Sequence, residues 1–311
     1  MSAATEASLA HETEGFAEII PGTLFATGGW LDVGARPISW LPPEGRGLLP
    51  VQGYVLRDAG SWLMIDTGLA VHWPLVAEGI CRTLANTSQR RLITTRREQD
   101  CMINLPAILD AFGVEEVLYA GVLNPLDFFE GVEETDAAAR IEATPGLRAV
   151  RIAPGVVTPV GGLALEVLRV ELRLLATNWF YERATRTLFT SDAFAFLARP
   201  AASWSPGLSR LRAADEPPMR AEDAALYLSA KMDWLIGIDP APIIRDLDAI
   251  QAARPIDRLC PGFGCVIEGE AAVREAFEVM RGALRILGAR RRAAWQFPES
   301  LAAFAEPGRA A

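Results

Sequence analysis

Six consecutive residues, Arg96-Arg97-Glu98-Gln99-Asp100-Cys101, concentrate the side chains of this protein that could do chemistry. They follow the short apolar run Leu92-Ile93-Thr94-Thr95 and precede the helix-like stretch INLPAILDAF. Carboxylates and a thiolate are competent metal ligands, and arginines at the base of a cleft suit a carboxylate or phosphate. A solvated turn accounts for the charges but not for their place at the mouth of a buried strand. The sequence has two histidines, His11 and His72, so a mechanism needing several imidazoles is excluded. A catalytic cysteine wants a histidine partner, and only His72 is a candidate, on a different loop. Cys101 therefore reads first as a small buried residue, and His72 as a helix-start or surface histidine.

The elements that must position this cluster alternate along the chain. VQGYVLR (51–57) and SWLMIDTG (61–68) are β-rich runs split by the hairpin signal Asp58-Ala59-Gly60. A helix begins near His72, RLITT is a short strand, and Leu105, Ile108, Leu109 and Phe112 repeat at helical spacing up to a Gly113 cap. EEVLYAG is the next strand. The middle is strand-rich through LRAVRIA, VVTPV, LALEVLRVEL and NWFYERATRTLFTSDAF, and a loop rich in Pro, Ser and Trp spans about 198–220. Helical periodicity returns over 221–236, in APIIRDLDAIQAA and in EAAVREAFEVMRGALRIL, with the strand IDRLC leading into PGFGC. Two sheets covered by helices fit this order better than a doubly wound parallel sheet.

IDTG (65–68), RREQDC, LFTSDAF (188–194) and PGFG (261–264), in that order, resemble the metallo-β-lactamase superfamily, and most nearly its flavodiiron or oxygen-binding diiron branch. The resemblance runs from about Pro21 to Leu287 and implies an α/β fold of the α+β type, an αββα sandwich. The expected organisation is a disordered tail over 1–15, a single domain over 16–290 and an extension over 291–311. In that branch the first motif reads H-x-E-x-D-H, so Glu98 and Asp100 match it, and Asp192 matches the aspartate bridging two metals. Arg96 and Cys101 stand where the motif has histidines. Counting back from Asp192 without a gap places Arg173 at the next histidine, and Phe263 replaces the last. All four histidine ligands are absent. The resemblance implies that Arg96 and Arg173 face Glu98 and Asp192 at the first metal position, forming ion pairs where the metal would be. The second position keeps Asp100, Cys101 and Asp192, which could hold one Zn or Fe ion, with Cys260 or Cys265 as an added sulfur. Arg96 nearby opposes a cation there. Asp66 is expected to support the strand-end loop, and Trp30 and Trp40 either wall a ligand pocket or pin their loop.

With 311 residues, half of them hydrophobic, the chain can bury a large core, and its net charge of -9 disfavours a general nucleic-acid binder. The runs Arg90-Arg91 and Arg290-Arg291-Arg292 read as a strand edge and a solvated helix end. The four cysteines lack CxxC spacing, and neither a signal peptide nor a membrane-length apolar stretch is evident, so a cytoplasmic location is the expectation. Two functions remain in view. One is a metal-free protein binding a small anionic molecule in the former active-site cleft; the other is a hydrolase of an ester, lactone or phosphodiester using one metal at Asp100, Cys101 and Asp192. Diiron reduction of oxygen or NO lacks its nitrogen ligands, and the given sequence ends at Ala311 short of the flavin-binding domain those enzymes carry. Self-association is left open, and the catalytic residues, if any, are not identified.

Overall fold

A computed structural model of the protein describes residues 15–33, 40–42, 47–121, 124–129, 146–195, 210–211 and 220–290. All of the expected tail over 1–15 except Gly15, His11 included, lies outside the described residues, as do most of the loop at 198–220 and the extension over 291–311. Strands β1 (Phe16–Ile20), β2 (Leu24–Asp32), β3 (Leu48–Arg57), β4 (Ser61–Ile65), β5 (Gln89–Ile93), β6 (Glu116–Tyr119) and β7 (Arg148–Arg151) pair in sequence order into one sheet. The second sheet is built from β8 (Val157–Val160), β9 (Leu163–Arg169), β10 (Asn178–Glu182), β11 (Thr187–Ser191), β12 (Arg210–Leu211), β13 (Arg258–Pro261) and β14 (Val266–Glu268). Its spatial order is β12-β14-β13-β11-β10-β9-β8.

Three layers of core hold the sandwich together. Leu56, Ile65 and Ile93 meet Val167, Phe180 and Phe189 between the sheets. On the outer face of the first sheet, helices α1 (Trp73–Thr83) and α3 (Leu105–Phe112) bury Val76, Ile80, Ile108 and Leu109 against Trp62, Met64 and Leu92. On the outer face of the second, α4 (Ala221–Lys231), α5 (Ala241–Ala253) and α6 (Glu270–Ala289) cover Trp179, Leu188 and Leu259. The helical spacing of Val273, Phe277, Met280 and Leu284 gives α6 one apolar stripe, and all four are buried. Each such side chain contributes about 1.5–3 kcal/mol through burial. The result is the αββα sandwich that the order of elements implied.

Local chemistry explains the joints. The Asp58 carboxylate accepts the Gly60 and Ser61 amides at 3.0 and 2.8 Å, closing the turn between β3 and β4. It also accepts the Gly162 amide at 2.6 Å, which ties that turn to the β8–β9 turn of the other sheet. Gly113 ends α3 in the left-handed region at φ 60°. Two expectations need adjustment. The helix over 221–236 breaks at Met232 (φ −129°, ψ 63°), leaving Lys231 as the last residue of α4 before a 3-10 turn at Asp233–Leu235. The strand expected over LALEVLRVEL stops at Arg169, and 170–177 link it to β10 as irregular chain.

Candidate functional site

The ends of β4, β5, β11 and β13 meet at one edge of the sandwich, and each contributes residues just past its last paired position. Asp66 and Ser191, the one just after β4 and the other closing β11, have φ of 57° and 54°. Such left-handed non-glycine residues are held only where the surroundings over-determine them. The Thr67 amide binds the Cys101 carbonyl at 3.0 Å, and the Asn104 side chain donates to the carbonyls of Thr67, Gly68 and Leu69. Opposite, β3 approaches so closely that a Cβ at Gly53 would lie 2.4 Å from the Asp66 carbonyl oxygen, which is why glycine stands there. The short helix α2 (Gln99–Met102) then lifts Asp100 and Cys101 beside the β5 end.

Asp66 supports the loop as expected of it. Its carboxylate accepts the Thr95 amide and the Thr95 hydroxyl, both at 2.7 Å. Burial pushes its pKa up to about 7, against the lowering effect of those two hydrogen bonds and of Arg96. Since Thr95 donates to Asp66, its oxygen accepts from Ser191 at 2.8 Å, and Ser191 in turn accepts from Arg96 Nη1 at 2.5 Å. A directed chain of donors thus runs from the guanidinium through two hydroxyls to a buried carboxylate.

Arg96 is the centre of the site. Its side chain is 1% exposed, and it reaches Glu98 at 3.3 Å, Asp100 at 2.5 Å and Asp192 at 3.0 Å. Burial alone favours loss of its proton, but the carboxylates of Asp192, Asp100 and Glu98 outweigh burial and raise its pKa well above the ordinary value. The second cation on Asp192 is Lys231, which forms an ion pair with the same Oδ1. Lys231 Nζ lies 3.9 Å from the centre of the Phe263 ring and 4.6 Å from that of Trp40, so the ammonium is also held by two π faces. Asp192 is 1% exposed, both cations meet its Oδ1, and Oδ2 has no hydrogen-bond partner among the described residues.

Of the residues singled out from the sequence, Arg96, Glu98, Asp100, Cys101 and Asp192 come together, with Phe263 against them through its ring, 5.9 Å from the Arg96 guanidinium carbon. Arg173 does not join them. It is exposed between buried Leu172 and half-buried Leu174, because β9 ends four residues earlier and the gapless count does not survive the irregular chain that follows. Lys231 takes the role assigned to it. A signal was present: Lys231 is the only lysine in the sequence, against 29 arginines. Cys101 is buried, with Sγ 3.5 Å from Asp100 and from Thr95, and burial pushes its thiol pKa well above the ordinary value. Cys260 and Cys265 are buried in the apolar layers. His72 does begin a helix, but it is buried rather than at the surface; its Nε2 stands 3.2 Å from the Trp30 carbonyl, and burial lowers its pKa. Trp40 does both things asked of it, packing on Phe263 at 4.6 Å and walling a cleft, whereas Trp30 belongs to β2.

That cleft, about 540 Å³, opens in front of the cluster and is lined by Trp40, Phe263, Leu174, Lys231, Glu98 and Asp100 among others. The donor set beneath it does not fit a metal ion. The guanidinium of Arg96 lies within 3.3 Å of all three carboxylates, has no lone pair to give, and repels a cation. The thiol of Cys101 is held protonated, and among the described residues no group of three or more His, Cys, Asp or Glu is arranged to hold an ion. No helix among them is long and apolar enough to cross a membrane.

Comparison with known proteins places this architecture. No protein-family model and no curated protein sequence matches the chain. Among solved structures, the rubredoxin oxygen:oxidoreductase of Desulfovibrio gigas is 16% identical with a TM-score of 0.61, covering 87% of this chain and 61% of its own. The flavodiiron protein of Giardia intestinalis is 16% identical at 0.58, covering 86% and 58%. A metallo-β-lactamase from Pontibacter korlensis is 14% identical at 0.52, covering 86% and 98%. The chain thus spans about three-fifths of the length of the first two of these structures. Identities this low speak to architecture alone, and on architecture they agree with the sheets, layers and strand ends: this chain has the metallo-β-lactamase fold, in the form that flavodiiron structures share.

Proposed function

We propose that this protein is a metal-free member of its fold that binds a small anionic molecule in the cleft where relatives of the fold hold their metals. The observation that carries the reading is the placement of Arg96, whose one guanidinium meets Glu98, Asp100 and Asp192 together. Three acidic side chains at a strand-end cluster need cationic compensation, and here the protein supplies it from its own chain. Lys231 completes the balance at Asp192. The single-metal alternative would require the Arg96 guanidinium to leave Asp100 and Asp192, and Cys101 to lose its proton.

The anion contact then passes from Arg96, which is buried against three carboxylates, to Lys231, whose side chain is 10% exposed and faces the cleft. Trp40, Leu69, Leu174 and Phe263 give the ligand an apolar wall, while Glu98 and Asp100 on the rim accept hydrogen bonds from its hydroxyl or amino groups. A small phosphate ester or hydroxy acid has this chemistry. The test is a thermal-shift titration with phosphate monoesters and hydroxycarboxylates, repeated with Zn²⁺, Mn²⁺ and a chelator. The reading expects a saturable rise with at least one anion that Lys231→Met removes, and no response to metals or chelator. A saturable metal response that the chelator reverses overturns it.

A further inference from the structure

Arg96 and Arg97 are neighbours with opposite circumstances. Arg96 is surrounded by carboxylates, whereas Arg97 is half-buried with no ion pair among the described residues, and its buried Nε has no hydrogen-bond partner. A buried guanidinium nitrogen without a partner is costly, and no carboxylate among the described residues holds the rest of the Arg97 head. Arg97 forms part of the wall between two spaces. In front is the cleft just described; behind, between the β5, β6 and β10 ends, lies a second cavity of about 410 Å³.

Charge decides which space an anion on Arg97 would occupy. In the front cleft Glu98 and Asp100 stand beside Arg97, so an anion there meets Lys231 rather than the Arg97 fork. The rear cavity has no acidic side chain among its described lining; it offers Thr94, Tyr119 and Asn178 as polar groups and Ala120, Pro125 and Leu175 as apolar wall. Its volume lies within the range of roughly 300–1,000 Å³ typical of small-molecule sites. We infer that the rear cavity is a second ligand site, taking a monocarboxylate with an apolar body, its carboxylate in the Arg97 fork and its tail along Ala120, Pro125 and Leu175. Planar guanidinium and planar carboxylate pair bidentately, which accounts for arginine at this place. The site is independent of the ligand proposed for the front cleft.

Octanoate, octanol and octylamine, matched in length and differing in charge, test the inference with the full chain by isothermal titration and ligand-observed NMR. Octanoate is expected to bind at least tenfold more tightly than octanol, with octylamine weakest. Arg97→Leu should bring octanoate down to the level of octanol, and Arg97→Lys should recover part of the loss. Absence of octanoate binding, equal affinity for octanol, or indifference to Arg97→Leu overturns the inference. Loss in Lys231→Met with Arg97→Leu unaffected also overturns it, and assigns the anion to the front cleft instead.

Discussion

Removing the Arg96 guanidinium while keeping an unbranched side chain of similar length, as in Arg96→Met, probes the centre of the site directly. The substitution strands three carboxylates, and their exposure sets what each contributes. Asp192 is 1% exposed and Asp100 12%, so both are largely desolvated; Glu98 at 30% is partly screened and adds little. Breaking a buried ion pair by deleting one partner costs about 3–5 kcal/mol. Lys231 still neutralises part of Asp192, which places the expectation in the lower half of that range, while the Ser191 hydroxyl loses a donor that Met cannot replace. At roughly 2–4 °C per kcal/mol for a domain of this order of size, the unfolding midpoint should fall by about 10 °C. Denaturant unfolding at neutral pH measures the same quantity without aggregation. Adding Asp192→Asn to Arg96→Met removes one stranded charge and should recover about 1–3 kcal/mol, a strongly non-additive pair. A midpoint for Arg96→Met within about 2 °C of the parent, or strict additivity of the two substitutions, would refute the reasoning.

Three further outcomes follow from the same geometry. Arg96→Ala leaves Glu98, Asp100 and Asp192 around vacated space, so Mn²⁺ should raise the melting temperature of that variant and not of the parent, since oxygen-rich sites suit hard cations; equal responses would sink the idea. The pKa of Asp66 is raised from 3.8 to about 7, so the folded state holds its proton more tightly, and the stability this lends is full below about pH 4 and lost as pH rises through 7. Urea unfolding between pH 4 and 7 should therefore show a component of up to ~1.4 kcal/mol per pH unit that Asp66→Asn removes, and an unchanged slope in the variant contradicts it. Gly53→Ala places a methyl group 2.4 Å from the Asp66 carbonyl oxygen, a backbone atom that cannot swing aside. A loss of about 2 kcal/mol or more is expected by chemical denaturation, and a neutral substitution would show that the β3–β4 contact yields.

Much of the architecture was legible because its signals are local. The Asp58-Ala59-Gly60 turn, the apolar stripe of α3 and its Gly113 cap each depend on residues a few positions apart, and all stand where the sequence put them. The cluster at RREQDC was legible for the same reason, since Arg96, Glu98 and Asp100 lie within five residues and meet across one short turn. Asp192 required long-range order, which the succession of strand-end motifs carried. Arg173 failed because counting residues assumes an unbroken strand, whereas β9 ends at Arg169 and Arg173 stands exposed on the chain beyond it. Lys231 escaped notice because its partner is 39 positions away and its cage is formed by Trp40 and Phe263 from two other loops. Its rarity marked it, but composition alone cannot say where a rare residue points. The rear cavity was invisible for a related reason, since its walls come from three strand ends that are distant in sequence.

The claim on which the account stands is that a guanidinium takes the place of metal. Elemental analysis of the protein purified without chelators, after growth in medium supplemented with Zn, Fe and Mn, measures it most directly. The account predicts less than about a tenth of an equivalent of any of these per chain, because Arg96 already supplies the positive charge that Asp100 and Asp192 require. Close to one equivalent of a single metal, lost together with stability in Asp100→Asn or Cys101→Ala, would contradict it.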